Sequence, residues 1–249
     1  MRAELEFYQL TSVGDREVNQ DCMVHKICAD YAVFAVADGL GGHHAGEKAS
    51  HYFCRALITL ASRFHPQIRF DAKKAVNNWI SATVAEMSNL FGEDPLASDA
   101  HTTCAVLYLD DERVITAHCG DSRIYRLKSD QMLWRTKDHS HIQQLFDEGL
   151  LTEWEMGVHP EQNQLTRSIN IAAPPLVDIQ LFPAMGVGET FILCTDGFWE
   201  SIKEQELLRL SQPESGKAEL KKMAKMAILR ARGRSDNCTV QWIRKREVA

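Results

Sequence analysis

A chain of 249 residues, 45% of them hydrophobic, is long enough to bury a substantial core as one large domain or two small ones. Its net charge of −6 and pI near 5.9 argue against nucleic acid or an anionic membrane surface as the default partner. The opening residues 1–6 carry no apolar signal region, and the longest clean apolar run, residues 31–37, is far too short to span a bilayer. Seven cysteines, an odd number without paired zinc spacing, favour a reducing compartment over a disulfide framework. The expectation is a soluble, cytoplasmic protein with no membrane insertion.

Residues 7–13 read as a first strand and 14–21 as a polar turn. Residues 22–28 then lead by a short turn into an apolar strand that ends at Asp38. Short strands joined by tight turns suggest antiparallel hairpins. Gly39, Gly41, Gly42 and Gly46 follow the aspartate, and Ala49, Phe53, Leu57, Leu60 and Phe64 then recur at helical spacing. A second helix carries Ala72, Ala75, Val76, Trp79, Ile80 and Met87 on one face. Both stripes read as core-facing surfaces. After a loop at 95–100, strands at 103–109, 113–119, 122–127 and 132–136 are separated by turns, the spacing of a β-meander. Residues 141–160 form a polar helical insert outside the sheets. Strands at 177–181, 190–195 and 237–243 and helices at 202–210 and 217–230 complete the chain. There is no internal repeat or linker, so one domain over 1–249 is expected. Strands in hairpins with helices arriving in pairs exclude a doubly wound βαβ fold. They suggest two antiparallel sheets covered on both sides by helix pairs.

Several strands meet an aspartate at their ends. Asp38 and Asp196 follow the apolar runs 33–37 and 191–194, Asp121 sits in the joint 119–123, Asp236 precedes the last strand, and Asp21 begins one. An unpaired buried carboxylate costs several kcal/mol and is normally paired or bound to metal, as these five on one rim would require. A lesser reading makes Asp38 a cap for the following helix. Oxygen ligands without histidine or cysteine suit Mg²⁺ or Mn²⁺, and the charge count fits two such ions. The fork of Arg16 suits a phosphoryl group; its bland alternative is a surface salt bridge.

These residues resemble the metal-dependent protein phosphatase family (type 2C, PPM) in its compact bacterial form. The opening signature resembles residues 16–21 (REVNQD), and the DGxGG block is similar to residues 38–50. The Gly-Thr-Thr, GDSR-x-Y, T-x-DHS, LTR, TDG-x-WE and DN-x-T motifs look like residues 101–103, 120–125, 136–140, 165–167, 195–200 and 236–239. The resemblance covers nearly the whole chain. It implies an α+β fold, a four-layer α-β-β-α sandwich, with a binuclear Mn²⁺/Mg²⁺ centre at one end. Asp38 would bridge both ions, the Gly39 carbonyl would bind one, and Asp196 and Asp236 would hold the other. Asp21 would act mainly through ordered waters, Asp121 would help hold a third, weaker ion, and Arg16 would grip the phosphate. A metal-bridging hydroxide would attack phosphoserine or phosphothreonine directly. The partners implied are phosphorylated proteins and an opposing serine/threonine kinase, with the phosphatase a monomer. Residues 141–160 resemble the family's flap.

Three departures stand out. Leu40 takes the place of a histidine that serves as general acid in animal relatives, leaving His43 or a metal-bound water as proton source. His101 replaces a glycine, and the stretch between Gly14 and Arg16 is one residue shorter than is common. Other chemistries fit less well. Cys238 and Arg244 have thiol-phosphatase spacing but lie in a strand pattern, and the glycine loop lacks the βαβ context of a nucleotide site. A non-catalytic phosphoprotein-binding module would be expected to lack a metal aspartate, and all five are present.

Overall fold

The computed structural model describes residues 3–41 and 44–247. In chain order its first elements are β1 (Ala3–Ser12), β2 (Asp21–Ile27), β3 (Tyr31–Leu40), α1 (His44–Ile68), α2 (Ala72–Phe91), β4 (His101–Thr102), β5 (Cys104–Asp110) and β6 (Arg113–Cys119). There follow β7 (Arg123–Lys128), β8 (Gln131–Arg135), α3 (His141–Asp147), α4 (Glu153–Met156), β9 (Asp178–Pro183) and β10 (Thr190–Cys194). The chain closes with α5 (Asp196–Trp199), α6 (Glu204–Leu207), α7 (Lys217–Arg230) and β11 (Cys238–Glu247). The strands form two antiparallel sheets, ordered β1-β11-β10-β7-β8 and β2-β3-β5-β6-β9, with β4 added to the end of β3.

Period-two alternation sorts the side chains into three layers. Along β3, Tyr31, Val33, Ala35 and Ala37 face α1 and α2, whereas Ala32, Phe34 and Val36 face the other sheet. Both faces are covered, which is why the strand is apolar throughout. In β10 and β11, Ile192, Cys194, Val240 and Trp242 pack under α7, while Phe191, Leu193 and Ile243 join the layer between the sheets. The expected α-β-β-α sandwich is therefore present. Its first outer layer is the pair α1 and α2, tied by Trp79 Nε1 donating to the Leu57 carbonyl at 3.0 Å. Its second is α7 with the short turns α5 and α6 rather than a second long pair, because the helix expected at 202–210 shortens to Glu204–Leu207 followed by a 3-10 turn. No helix among the described residues is long and apolar enough to cross a membrane, and the seven cysteines are all free.

Three local expectations are corrected. β1 and β2 do not form a hairpin: β1 pairs with β11, and residues 13–20 carry the chain from one sheet to the other. The meander also breaks at Gly120, because β6 and β7 lie in different sheets. Gly120 turns this corner at φ 95°, and a Cβ there would lie 2.6 Å from the Thr103 side chain. Alternating hydrophobicity reports that a strand is half or fully buried, but not which sheet it joins. β3 also runs two residues past Asp38, because Gly39 and Leu40 pair with Thr102 and His101.

Candidate metal centre

The same alternation that builds the middle layer delivers the acids. Asp38 has the parity of Phe34 and Val36, so its side chain stands at the end of the layer between the sheets. Asp21 is its register partner on β2 and shares that face. Asp196 is the first residue of α5, directly beyond β10, and Asp236 lies just before β11, the antiparallel neighbour of β10. Close backbone approach holds the two sides together. A Cβ on Gly197 would lie 2.2 Å from the Asn237 carbonyl oxygen, and one on Gly39 would lie 2.1 Å from that of Gly46. Asp38 is inside β3 rather than at the start of α1, so the helix-cap reading falls.

The crossing segment is pinned by Asn237. Its Oδ1 accepts from the Gln20 N–H at 2.7 Å, and its Nδ2 donates to the carbonyls of Val13 at 2.9 Å and Val18 at 3.0 Å. Asp38 is gripped through its backbone. Its N–H donates to Thr103 Oγ1 at 2.9 Å, and its carbonyl accepts from Thr102 Oγ1 at 2.9 Å. These bonds leave the Asp38 carboxylate available to the cleft. The cleft, about 180 Å³, is lined by Arg16, Asp38, Gly39, Leu40, Asp121, Asp196 and Asp236, together with Gln20, Gly41, Asn163, Leu165 and Asn237.

Electrostatically the site is short of positive charge. Burial, then the charges of neighbouring acids, pushes Asp38 and Asp121 well above the usual carboxyl range. Asp196 is raised to about 7 by burial and by Asp236, and Asp21 to about 8 by burial and by Asp196 and Asp236. Asp21 is buried with Oδ2 accepting from Thr195 Oγ1 at 2.8 Å; the Thr239 side chain also lies close enough to favour its charged form, but no donor meets Oδ1 in hydrogen-bond geometry. An orphaned buried carboxylate oxygen beside like charges fits a divalent cation or its water shell. The counter-charge at the mouth is Arg16, 57% exposed at its side chain, with Nη2 donating to Asp236 Oδ2 at 2.7 Å. It thus makes the surface ion pair that sequence allowed, at the cleft's edge.

Six of the expected site residues therefore line one cleft, and Asp21 adjoins it as the partner of Asp38. His43 lies outside the described residues. Sequence reasoning assigned no role to Glu200, whose carboxyl is raised to about 10 by burial and by Asp196, Asp121 and Asp236. Its place four residues after Asp196, across a helical turn, was the available signal. Asn163 had none, since it reaches the cleft only by tertiary folding.

Asp121 is held from both sides. The Trp199 indole donates to its carbonyl at 2.9 Å, and Gly120 exchanges backbone and imidazole bonds with His139. Two residues on, the buried Arg123 forks onto Asp138 at 2.8 and 2.6 Å and stacks on Trp199 with its guanidinium carbon 3.4 Å from the ring centroid. Arg123 also reaches Glu153 of α4 at 2.6 Å, tying residues 141–160 to the sheet. Nearby His118, His139 and Asp178 gather their ligand-type atoms within 4.8 Å of one another. They are not arranged as a metal site. His139 Nδ1 accepts from the Gly120 N–H at 3.2 Å, so its proton is on Nε2, 3.3 Å from Asp178 Oδ2. The two rings also stack 4.7 Å apart at 14°, so their in-plane lone pairs do not converge.

A rim of this kind has the donor set of proteins that use divalent cations to work on an anionic substrate. The protein phosphatase 2C profile matches residues 12–231, and the chain belongs to that family. It is similar to the serine/threonine phosphatase stp of Listeria innocua, 28% identical over 84% of this chain and 82% of that protein. It also resembles protein phosphatase PhpP of Streptococcus pneumoniae, 30% identical over 82% of each. Among solved structures, the Mycobacterium tuberculosis serine/threonine phosphatase PstP superposes with a TM-score of 0.82 at 25% identity, covering 98% of this chain and 99% of that one. A PstP catalytic domain in complex with two manganese ions superposes at 0.80, also at 25% identity, covering 99% of this chain and all of that one.

Proposed function

We propose that Asp21, Asp38, the Gly39 carbonyl, Asp196 and Asp236 hold two Mn²⁺ or Mg²⁺ ions with which this serine/threonine protein phosphatase hydrolyses phosphoserine and phosphothreonine. Asp121 contributes to a third, weaker ion. The observation that carries the reading is the convergence of four aspartates on one cleft, with Asp21 paired beside Asp38 and carrying an oxygen without a hydrogen-bond partner. When bound, the ions arm a water for in-line attack on phosphorus and draw charge from the phosphoryl oxygens. Arg16 exchanges Asp236 for the phosphate and orients it through its fork. Asn237 and Gln20 fix the segment that carries Arg16. Without the ions, burial and the charges of Asp196, Asp121 and Asp236 raise Glu200 to about 10, which favours its neutral form beside the rim.

Residues 141–160 act as a flap: Glu153 anchors them to Arg123 and Arg135, and Asn163 and Leu165 continue the chain into the cleft. Free cysteines support the cytoplasm as the compartment. A monomer acting on phosphoproteins produced by a serine/threonine kinase completes the proposal. The complete acid set weighs against a non-catalytic binding module. The test is hydrolysis of a phosphothreonine peptide with Mn²⁺ added, chelated and restored. Turnover should follow the metal; turnover indifferent to chelation refutes the assignment.

A further inference from the structure

The outer face of α7 concentrates the charge asymmetry of the molecule. Residues 217–234 contain seven lysines and arginines against one acid, Glu219, a net +6 in a chain of net −6, so all other residues together carry −12. Helix faces that serve only to be solvated usually interleave signs at three- and four-residue spacing. Here Lys222 has Glu219 at 3.7 Å, and Arg230 is turned onto Glu206 at 2.7 Å. Among the described residues no ion pair engages Lys221, Lys225, Arg232 or Arg234. Leu220, Met223, Ala224 and Ala227 bury the inner face, which holds the lysines outward. Lys221, Lys222, Lys225, Met226 and Leu229 line a shallow trough of about 540 Å³, and Leu229 is 77% exposed.

The C-terminal end of α7 leads toward the catalytic rim. Arg230 donates to the Ser201 carbonyl at 2.7 Å, the residue after Glu200. Past Arg232 and Arg234 the chain enters the cleft at Asp236. From Lys221 to Arg230 the helix rises about 14 Å. The connection on to Asp236 spans at most about 20 Å. A peptide of about ten extended residues covers the whole distance.

We propose that the α7 face and Arg232–Arg234 form a docking track for an acidic segment of the substrate: aspartate, glutamate or further phosphorylated residues within about ten positions of the phosphoresidue in the cleft. The proposal rests on reading that cleft as the phosphatase centre. Charge complementarity selects the occupant, because an anionic segment is repelled by the −12 carried elsewhere and attracted along this strip. A strip at the rim acts on encounter and is screened by salt.

Two phosphothreonine peptides, identical but for acidic or neutral flanks, test the assignment against wild type and the triple variant Lys221→Glu/Lys222→Glu/Lys225→Glu. Wild type should favour the acidic peptide by about tenfold in kcat/KM at low salt, with the preference lost in high salt and in the variant. Turnover of p-nitrophenyl phosphate should be the same in both proteins, which also shows that the variant is folded. A gentler Lys→Gln triple variant should show a reduced preference. Anisotropy of the labelled acidic peptide in chelator reads docking without turnover, so loss of hydrolysis alone leaves the track standing and sinks only the phosphatase reading. Equal rates on the two peptides, or a preference that survives the charge reversal, overturn the proposal. So does binding to phosphatidylglycerol vesicles through these lysines with no peptide preference.

Discussion

Replacing Asp38 by asparagine should make the metal-free protein more stable and the metal-loaded protein unattainable. Asp38 and Asp21 are register partners on one face, with directly opposed Cβ atoms about 5 Å apart. Two unit charges about 5 Å apart at an effective dielectric of about 20 repel by about 3 kcal/mol. Asp196, Asp121 and Asp236 add to the repulsion at Asp38. The buried carboxyls relieve much of it by taking up protons, which leaves a net gain for Asp38→Asn of about 1–2 kcal/mol at pH 8. For a chain of this length that is about 2–8 °C in melting temperature. Wild type in Mn²⁺ at a hundred times its dissociation constant should gain about 2.7 kcal/mol per ion. The variant should gain almost nothing and show no turnover. Thermal unfolding in chelator and in excess Mn²⁺ therefore reverses the order of the two proteins. An Asp38→Asn protein that melts below wild type in chelator, and still rises with Mn²⁺, would refute the reasoning.

Four further outcomes follow from the same geometry. Arg16→Ala should raise KM for p-nitrophenyl phosphate about tenfold while changing kcat little, and an unchanged KM removes Arg16 from phosphate binding. Gly39→Ala places a methyl 2.1 Å from the Gly46 carbonyl oxygen, forces β3 and α1 apart, and should cut turnover about a hundredfold in a protein of unchanged circular dichroism. Without metal, Asp196 at about 7 and Asp21 at about 8 hold protons that the unfolded chain releases near 3.8. Their contribution is fully present below the unfolded value and is lost as pH rises through 7 and 8, so urea unfolding in chelator should show falling stability from pH 5 to 9, and a rising slope contradicts it. Arg123→Met leaves Asp138 buried and unpaired, which should cost about 3–5 kcal/mol, with Arg123→Met/Asp138→Leu recovering most of it in the same melt.

Particular residues show how far the primary structure could be read. The run 33–37 announced a strand buried on both faces, and β3 is covered by helices on one side and a sheet on the other. Asp38, Asp196 and Asp236 stood out because a carboxylate beside an apolar strand needs a partner, and all three line one cleft. The errors fall where the chain changes sheets, at residues 13–20 and at Gly120. Hydrophobic alternation is blind to such a crossing, because a strand looks the same whichever neighbour it pairs with.

Sequence alone therefore determined the periodic elements, the burial of their faces and the identity of the acids, since each depends on the local order of side chains. Tertiary structure decided that β10 and β11 lie side by side, that Asp21 faces Asp38, and that Arg16 meets Asp236 from the far end of the chain. It also decided that Glu200 is crowded by Asp196, Asp121 and Asp236, and that Arg230 at the end of α7 reaches the Ser201 carbonyl. Those facts depend on distances between segments remote in sequence. Such distances, and the desolvation that comes with them, exist only once the two sheets have packed.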